Sequence, residues 1–237
     1  MTLPVLLDCT VAARINLSLR VDPSLLQPRL PDPWQVAAMP SGPHQGMNLR
    51  LIFNDVLLNQ RADFEPEPGA QDYSAVFVIS ARRAGSSESR FFNARILHAN
   101  PDCLPGKYGT SRRAEASRRQ VVEARGCSTT VSDFFEFASG SDHVSFSLVY
   151  QRGELVRPRP PVKICVSSVY DLGIERYYRQ DLLEDVIKSA PSAVDRVLAY
   201  RLEVSGPDFG DVFRTSPELI SITVNPWYLR EVFDRDE

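Results

Sequence analysis

Strict alternation of apolar and polar residues is the main pattern along this chain of 237 residues. It runs through four segments, at 15–21, 144–150, 198–204 and 220–224. Because successive side chains of a strand point to opposite faces, each segment is predicted to be a strand with one face on a core. The pattern assigns eight side chains to one shared core: Ile15, Leu17, Leu19, Phe146, Leu148, Tyr200, Leu202 and Ile222.

Other segments carry different strand signals. Residues 75–81 and 162–166 are apolar at successive positions, which is typical of central strands buried on both faces. Weaker strand patterns cover four further segments, at 49–58, 90–98, 121–124 and 128–137. Gly126, between the last two, is predicted to lie in a turn or bulge.

Helical signals are few. Asp22 followed by proline is an N-cap signature and opens a short helix through residue 26. Apolar residues at helical spacing predict a second helix over 175–189, and Asn225 with Pro226 predicts a third that closes the chain. About nine strands and three helices indicate a mostly β (α+β) fold, an antiparallel β-barrel with a few short helices. We expect a single domain over 1–237, because no long linker divides the strand patterns.

Composition excludes several classes of protein. Hydrophobic residues make up 43% and charged residues 24%, which is normal for a globular core. The net charge of -3 argues against nucleic-acid or anionic-membrane partners. No apolar run reaches the length of a membrane span, and no basic region precedes the apolar start, so we expect a cytoplasmic protein. The four cysteines are far apart and the three histidines are scattered, so neither disulfides nor a metal site is indicated.

The segment 99–120 holds the candidate chemistry. Only three lysines occur in the chain, and Lys107 stands on a glycine–proline loop after the strand that ends at His98. Lys163 in a strand and Lys188 at a predicted helix end have structural explanations. Several arginines follow Lys107, which allows two interpretations. One is a solvated loop with a basic face. The other is an amine whose pKa is lowered by burial and cationic neighbours, and which attacks carbonyl carbon.

Three features of the chain together resemble one known family. They are the strand, turn and short leucine helix at 17–33, the LPGKYG loop at 104–109, and the order of the remaining strands and the terminal helix. This layout resembles the acetoacetate decarboxylase superfamily. In that family the loop carries two adjacent lysines, and the first forms a Schiff base. Here Gly106 stands at the first position and Lys107 at the second.

The resemblance implies an acetoacetate decarboxylase-like barrel and a lyase acting on a β-keto or 2-oxo acid. Lys107 would form the imine and so serve as the electron sink, without a cofactor or metal. A homo-oligomer and a small carboxylate or keto substrate are also implied. The alternative is a non-catalytic barrel that binds a small apolar or carboxylate ligand. The substrate-binding candidates are Arg14, near the position of the family's substrate arginine, together with Arg112, Arg113 and His98 around the loop.

Overall fold

The computed structural model of the protein describes residues 5–103, 108–158 and 162–234, without the side chains of residues 162 and 163. Within these ranges the strands are β1 (Leu6–Arg20), β2 (Trp34–Val36), β3 (Leu49–Arg61), β4 (Tyr73–Arg83), β5 (Ser89–His98), β6 (Ser111–Arg113), β7 (Glu115–Arg125), β8 (Ser128–Ser139), β9 (Asp142–Gln151), β10 (Val162–Ser168), β11 (Glu175–Ser189), β12 (Val194–Asp195), β13 (Val197–Ser205) and β14 (Glu218–Asp234). The helices are α1 (Pro23–Leu26) and α2 (Gly210–Arg214), with 3₁₀ turns at Gln27–Arg29 and Pro101–Cys103.

Seven strands close into a barrel. Their order is β4-β3-β1-β14-β11-β10-β5, and β5 pairs with β4 to complete the circle. The short strands β2, β12 and β6 extend from β4, β11 and β5. Closure gives each of the seven strands a neighbour on both sides, although the parallel contact between β10 and β5 covers only three residues of each strand.

A second sheet covers one side of the barrel. It is antiparallel, with the order β13-β9-β8-β7. Its apolar side chains share one core with the outward-facing residues of β1, β3 and β4. The ring of Phe53 on β3 stacks on that of Phe146 on β9, with centroids 4.5 Å apart. The main core therefore lies between the two sheets, outside the barrel.

Both faces of the barrel wall are buried where the second sheet covers it. On β1, Leu17 and Leu19 face the core between the sheets. The alternate residues Asn16 and Ser18 are buried as well, at 3% and 0% exposure. Asn16 donates hydrogen bonds to Thr223 and Asn225 on the neighbouring strand. The alternating pattern therefore separates an apolar outer layer from a polar barrel interior.

The predicted core is confirmed in most positions. Leu202 is partly buried against the cluster, and Tyr200 is 36% exposed. Tyr200 lies opposite Leu148 and its ring contacts that of Phe146, but β13 is an edge strand of the second sheet, so one side of the Tyr200 side chain stays exposed. The other six residues of the predicted set lie buried in one cluster: Ile15, Leu17, Leu19, Phe146, Leu148 and Ile222.

The predicted barrel is present, but it is mixed where an antiparallel one was expected. Strand β10 runs parallel to β5, and β6 also runs parallel to β5. Parallel neighbours need a long crossover connection. Here the crossover from β5 to β10 contains β7, β8 and β9 of the second sheet.

The first predicted helix is confirmed. Asp22 caps α1, because its carboxylate accepts a hydrogen bond from the backbone of Ser24, and Pro23 begins the helix. The longer helix, α2, has five residues. None of the helices in the described ranges has the length and apolarity needed to span a membrane.

The helix predicted over 175–189 is wrong, because this segment is strand β11. Tyr178 and Leu182 are four residues apart, a spacing that also places two side chains on the same face of a strand. An irregular register between Leu183 and Asp185 then moves the buried side to odd positions, such as Ile187. Apolar residues on both faces therefore imitate a helical period.

The predicted C-terminal helix is also wrong, because Asn225 and Pro226 lie inside strand β14. The register of β14 is irregular beside them on both sides, against β1 and against β11. Proline has no N–H to donate to a sheet and is tolerated at such bulges. The Asn225 amide instead donates a hydrogen bond to the Leu183 carbonyl.

Candidate active site

The barrel interior contains a cavity of about 80 Å³. Its walls combine aliphatic side chains with amides, tyrosines and three arginines. The polar lining residues include Thr10, Arg14, Arg50, Asn54, Ser74, Asn93, Tyr108, Tyr178, Gln180, Tyr228 and Arg230. A water molecule needs roughly 10–15 Å³ of such volume. The cavity therefore holds roughly five to eight groups of that size.

Arg14 enters the cavity beside the bulge in β14. Its Nε donates a hydrogen bond to Asn225 Oδ1 at 3.0 Å. Its guanidinium lies over the ring of Tyr228, 3.5 Å from the centroid. Asn225 also forms hydrogen bonds with Asn16 and with the Leu183 carbonyl, so the acceptor of the Arg14 hydrogen bond is fixed in position. Burial lowers the pKa of Arg14.

Among the three arginines of the cavity, Arg50 has the fewest partners within the described residues. Its cross-strand neighbour on β1 is Ser18, and its guanidinium carbon lies 5.5 Å from the centre of the Phe91 ring. Within the described residues, the Arg50 guanidinium forms no hydrogen bond or ion pair, and its Nε is buried without a partner. Burial and the charge of Arg14 lower the pKa of Arg50 to about 10. The negative charge of Glu184 raises it only in part.

Arg230 lies close to two tyrosines. Its Nη2 donates a hydrogen bond to Thr10 Oγ1 at 3.1 Å, and its guanidinium lies 4.9 Å from the centre of the Tyr178 ring. The Nε of Arg230 is buried without a partner in the described chain. The hydroxyls of Tyr178 and Tyr108 share a short hydrogen bond. Tyr108 comes from the loop between β5 and β6, so this loop contributes directly to the cavity wall.

His44 binds between two barrel strands. Its Nδ1 lies 3.0 Å from Ser18 Oγ and 2.8 Å from Ser221 Oγ. Burial, together with the positive charges of Arg50 and Arg14, lowers the pKa of His44 to about 3. The imidazole is therefore neutral near pH 7 and adds no positive charge to those of the arginines.

The cavity suits a small anionic ligand rich in oxygen. Buried polar atoms are normally hydrogen-bonded, and an unpaired buried donor costs about 1–3 kcal/mol. The unpaired buried donors of the described lining are the Nε atoms of Arg50 and Arg230 and the hydroxyl of Tyr228. The described lining includes no Asp, Glu or His. In the part of the chain that the structure covers, no group of His, Cys, Asp or Glu is placed to hold a metal ion.

The three lysines differ in whether the structure describes their side chains. Lys107 lies outside the described residues, as does the side chain of Lys163. Lys188 forms an ion pair with Asp195 and belongs to strand β11, so its predicted place at a helix end is wrong. A catalytic role of Lys107 stays a prediction.

Among the four predicted substrate-binding residues, the structure places only Arg14 in the cavity lining. His98 is buried, and its Nδ1 accepts a hydrogen bond from the backbone of Asn100. Arg112 lies 3.5 Å from Asp142 and 3.6 Å from Asp208 in ion pairs. Arg113 is exposed. Substrate contacts of these three residues stay a prediction.

Sequence reasoning missed Arg50, Arg230 and the tyrosines of the cavity. Polar residues that alternate with apolar ones usually face solvent, and Tyr178, Tyr228 and Arg230 stand in segments that the sequence predicted to be helical. One signal was present: Arg50 stands between Leu49 and Leu51 in an otherwise apolar strand segment. A long cation in such a segment indicates an interior site.

Comparison with solved structures identifies the fold. The chain is similar to an acetoacetate decarboxylase-like enzyme from Sphingomonas wittichii RW1, with 15% identity, a TM-score of 0.60, and coverage of 99% of this chain and 94% of that one. It is also similar to acetoacetate decarboxylase from Legionella pneumophila, with 11% identity, a TM-score of 0.57, and coverage of 99% and 90%. The chain therefore has the acetoacetate decarboxylase-like fold, as the sequence resemblance implied.

A third similar structure is the enduracididine biosynthesis enzyme MppR in complex with pyruvate. Its identity is 12% and its TM-score 0.55, with coverage of 98% of this chain and 90% of that one. No family model matches the sequence, and no curated protein matches it. The relationship is therefore visible in the fold and not in overall sequence identity.

Proposed function

We propose that the barrel cavity binds a small keto acid and that Lys107 converts its ketone into an imine, as in a Schiff-base lyase. The observation that carries the proposal is the Arg50 guanidinium, which lines the cavity with its Nε buried and forms no hydrogen bond or ion pair among the described residues. A carboxylate is the group that a planar guanidinium binds best, with two parallel hydrogen bonds.

The size and chemistry of the cavity support a short acid. Its volume of about 80 Å³ is enough for the non-hydrogen atoms of a three- or four-carbon keto acid. Asn54, Asn93 and Gln180 add amide groups that fix the orientation of a carbonyl. The similar MppR structure holds pyruvate, which has this size and charge.

Two lysines directly precede a lining residue of the cavity along the chain: Lys107 before Tyr108, and Lys163 before Ile164. Lys107 is the one that stands on a glycine–proline loop. An imine on Lys107 would withdraw electrons from the neighbouring carbon, which permits either loss of CO₂ or removal of a proton. Arginines that hold a carboxylate stabilise it and oppose its departure as CO₂. The cavity therefore favours aldol or dehydration chemistry, in which the carboxylate is retained, over decarboxylation.

Borohydride trapping tests the imine. The protein is incubated with pyruvate or acetoacetate, reduced, digested and analysed by mass spectrometry. We expect a stable adduct on the peptide that contains Lys107, and none in Lys107→Ala. Lys188→Ala is the matched control and should retain the adduct. Pyruvate binding without any adduct would instead support the non-catalytic ligand-binding barrel, and an adduct on another lysine would contradict the role of Lys107.

Isotope exchange separates the two reaction branches. If the imine loses a proton from the neighbouring methyl group, pyruvate in D₂O will incorporate deuterium, which NMR detects. Decarboxylation would instead release CO₂ from acetoacetate. We expect deuterium incorporation to be the faster process. Rapid CO₂ release without exchange would overturn the preference for the aldol or dehydration branch.

A further inference from the structure

Strand β7 forms an exposed edge of the second sheet. It stands last in the order β13-β9-β8-β7, and within the described residues β8 is the only strand that pairs with it. Every residue from 119 to 125 is exposed, including Val121 at 46% and Val122 at 49%. An edge strand presents a row of N–H and C=O groups to which another strand can add.

The features that usually protect an edge strand are missing from β7. Natural edges are short, bulged, or interrupted by proline and lysine. Strand β7 has eleven residues, contains neither proline nor lysine, and pairs with β8 in one register without a shift along its whole length. The opposite edge differs, because β13 has a register shift between Val197 and Ala199. Strand β7 is therefore the edge of this sheet that is better suited to pair with another chain.

The odd-numbered residues of β7 face away from the barrel. Arg118 donates a hydrogen bond to Asp55 on barrel strand β3, so the even-numbered side chains point towards the barrel. Arg119, Val121 and Glu123 consequently share the open face of the sheet. A second strand beside β7 would meet these three side chains without displacing any contact between the sheet and the barrel.

The sequence of β7 is complementary to a second copy of itself. Antiparallel pairing about a two-fold axis at Val121 places position 119 opposite 123 and position 117 opposite 125. Arg119 then faces Glu123 of the second copy, and symmetry repeats this contact. The two Val121 side chains meet between the two charge pairs. Opposite charges and apolar pairs at facing positions each stabilise a pair of antiparallel strands.

Neighbouring registers match less well. An axis at Val122 would place Arg119 opposite Arg125, which are like charges. An axis at Gln120 would pair Glu115 with Arg125 but would place Arg119 opposite an apolar residue. The axis at Val121 gives every charged residue of the open face in 117–125 either an opposite charge or a serine as its partner.

The charges of β7 are available for this pairing. Within the described residues, the Arg119 side chain forms no hydrogen bond or ion pair. Glu123 has one ion pair, 3.7 Å from Arg125, and both side chains are mostly exposed. On the other edge strand, Arg201 and Glu203 are already paired with each other. An edge that repels its own copy would carry charges of one sign, whereas β7 carries both signs in self-complementary order.

We propose that two copies of this chain associate through β7, in antiparallel register about Val121, and so join their four-stranded sheets into one sheet of eight strands. This interface is independent of the proposed function, because its contacts lie outside the cavity. A single strand ladder is a small interface, so we expect a reversible dimer.

A charge swap tests the interface. Sedimentation velocity over a concentration series should show reversible dimerisation of the wild-type protein. Arg119→Glu and Glu123→Arg each place like charges opposite each other in both symmetric contacts, and each should weaken the dimer about 10- to 100-fold. The double variant restores opposite charges and should dimerise again. Glu203→Arg, on exposed edge strand β13, is the control and should keep the wild-type dimer. A wild-type protein that stays monomeric, or a dimer that both single variants leave intact, would overturn the proposal.

Cysteine cross-linking tests the register. The background is Cys127→Ser, which removes the exposed native thiol. Val121→Cys should form a disulfide-linked dimer on mild oxidation, because facing Cβ atoms of antiparallel strands are about 4.5–5.5 Å apart. Arg119→Cys should not, because its two copies would be offset by four residues, about 13 Å along the strands. Equal cross-linking of the two variants, or preferential cross-linking of Arg119→Cys, would contradict the pairing about Val121.

Discussion

The two faces of the barrel wall use the same backbone for opposite purposes. On β3, Leu49, Leu51 and Phe53 face the core between the sheets and are fully buried. The intervening Arg50, Ile52 and Asn54 line the cavity. The outer face is apolar and closely packed, with Phe53 in contact with three other phenylalanine rings. The inner face holds a cation whose guanidinium has no hydrogen-bond or ion-pair partner in the described residues.

Under the proposed function, this difference assigns stability to the outward-facing residues of the strand and ligand binding to the inward-facing residues that alternate with them. Burial of a large apolar side chain contributes about 1.5–3 kcal/mol, so the outer face stabilises the fold. A buried and unpaired guanidinium is unfavourable for folding and becomes favourable only when an anion binds. Substitutions on adjacent residues of one strand should therefore have opposite consequences.

The largest expected effect is a loss of stability after substitution of a residue on the outer face of the barrel wall. Phe53→Ala removes a ring stacked against the second sheet, which should lower the free energy of unfolding by about 3–5 kcal/mol. Urea denaturation followed by fluorescence measures this change. A loss below about 1 kcal/mol would mean that the two sheets do not depend on this contact.

The second largest expected effect is a loss of ligand affinity after substitution of a residue on the cavity-facing side of β3. Arg50→Met should weaken pyruvate binding about 10- to 100-fold, because hydrogen bonds to charged groups contribute roughly 1.5–3 kcal/mol. Stability should stay equal or rise by about 1–2 kcal/mol, since a desolvated charge is removed. Calorimetry and urea denaturation measure the two quantities. Arg125→Met, at an exposed arginine of β7, serves as the control with neither effect. Destabilisation by Arg50→Met together with unchanged binding would reverse the assignment of the inner face.

His44 is expected to make the stability of the protein depend on pH. Its pKa is about 3 in the folded protein, against about 6.5 in an unfolded chain. Between pH 3 and pH 6.5, His44 therefore binds more protons in the unfolded state than in the folded state. The free energy of unfolding falls as the pH drops from about 6.5 towards 3. His44→Gln should lose less stability than the wild-type protein between pH 7 and pH 4.5 in urea titrations. An identical loss in the two proteins would show that His44 is not the titrating group.

The smallest effect is expected outside both buried faces. Leu198 on β13 is 57% exposed. Leu198→Lys should change the free energy of unfolding by less than about 0.5 kcal/mol, as is usual for surface positions. A larger loss, or a change in sedimentation, would indicate that this edge strand is covered in solution.

Sequence patterns predicted the elements that have one apolar and one polar face. The strands through Leu17 and Phe146, the capped helix at Asp22, and the barrel with its family resemblance are confirmed. The patterns gave wrong predictions in two places. Strand β11 is buried on both faces, which imitates a helical period, and Pro226 lies at a bulge of strand β14 and not at the start of a helix. Local spacing does not reveal what covers the second face, since that depends on tertiary closure.

The candidate site was only partly predictable for the same reason. Arg14 was identified through the family resemblance, and the structure places it in the cavity. Arg50 and Tyr178 come from strands distant in sequence, and only closure of the barrel brings them to one cavity. Their polar or aromatic character is equally suited to a solvent-facing strand position. A sequence pattern alone therefore does not distinguish the interior of a barrel from its exterior.

The pairing of β1 with β14 has a consequence for how the protein is made. It joins residues 6–20 to residues 218–234 along one continuous antiparallel ladder. During synthesis, β1 lacks this neighbour until residues 218–234 have left the ribosome. Contacts between such distant segments form slowly, and unpaired edges meanwhile invite association with other chains. The ligand cavity is thus among the last features to form, and a chain truncated before β14 should lack it.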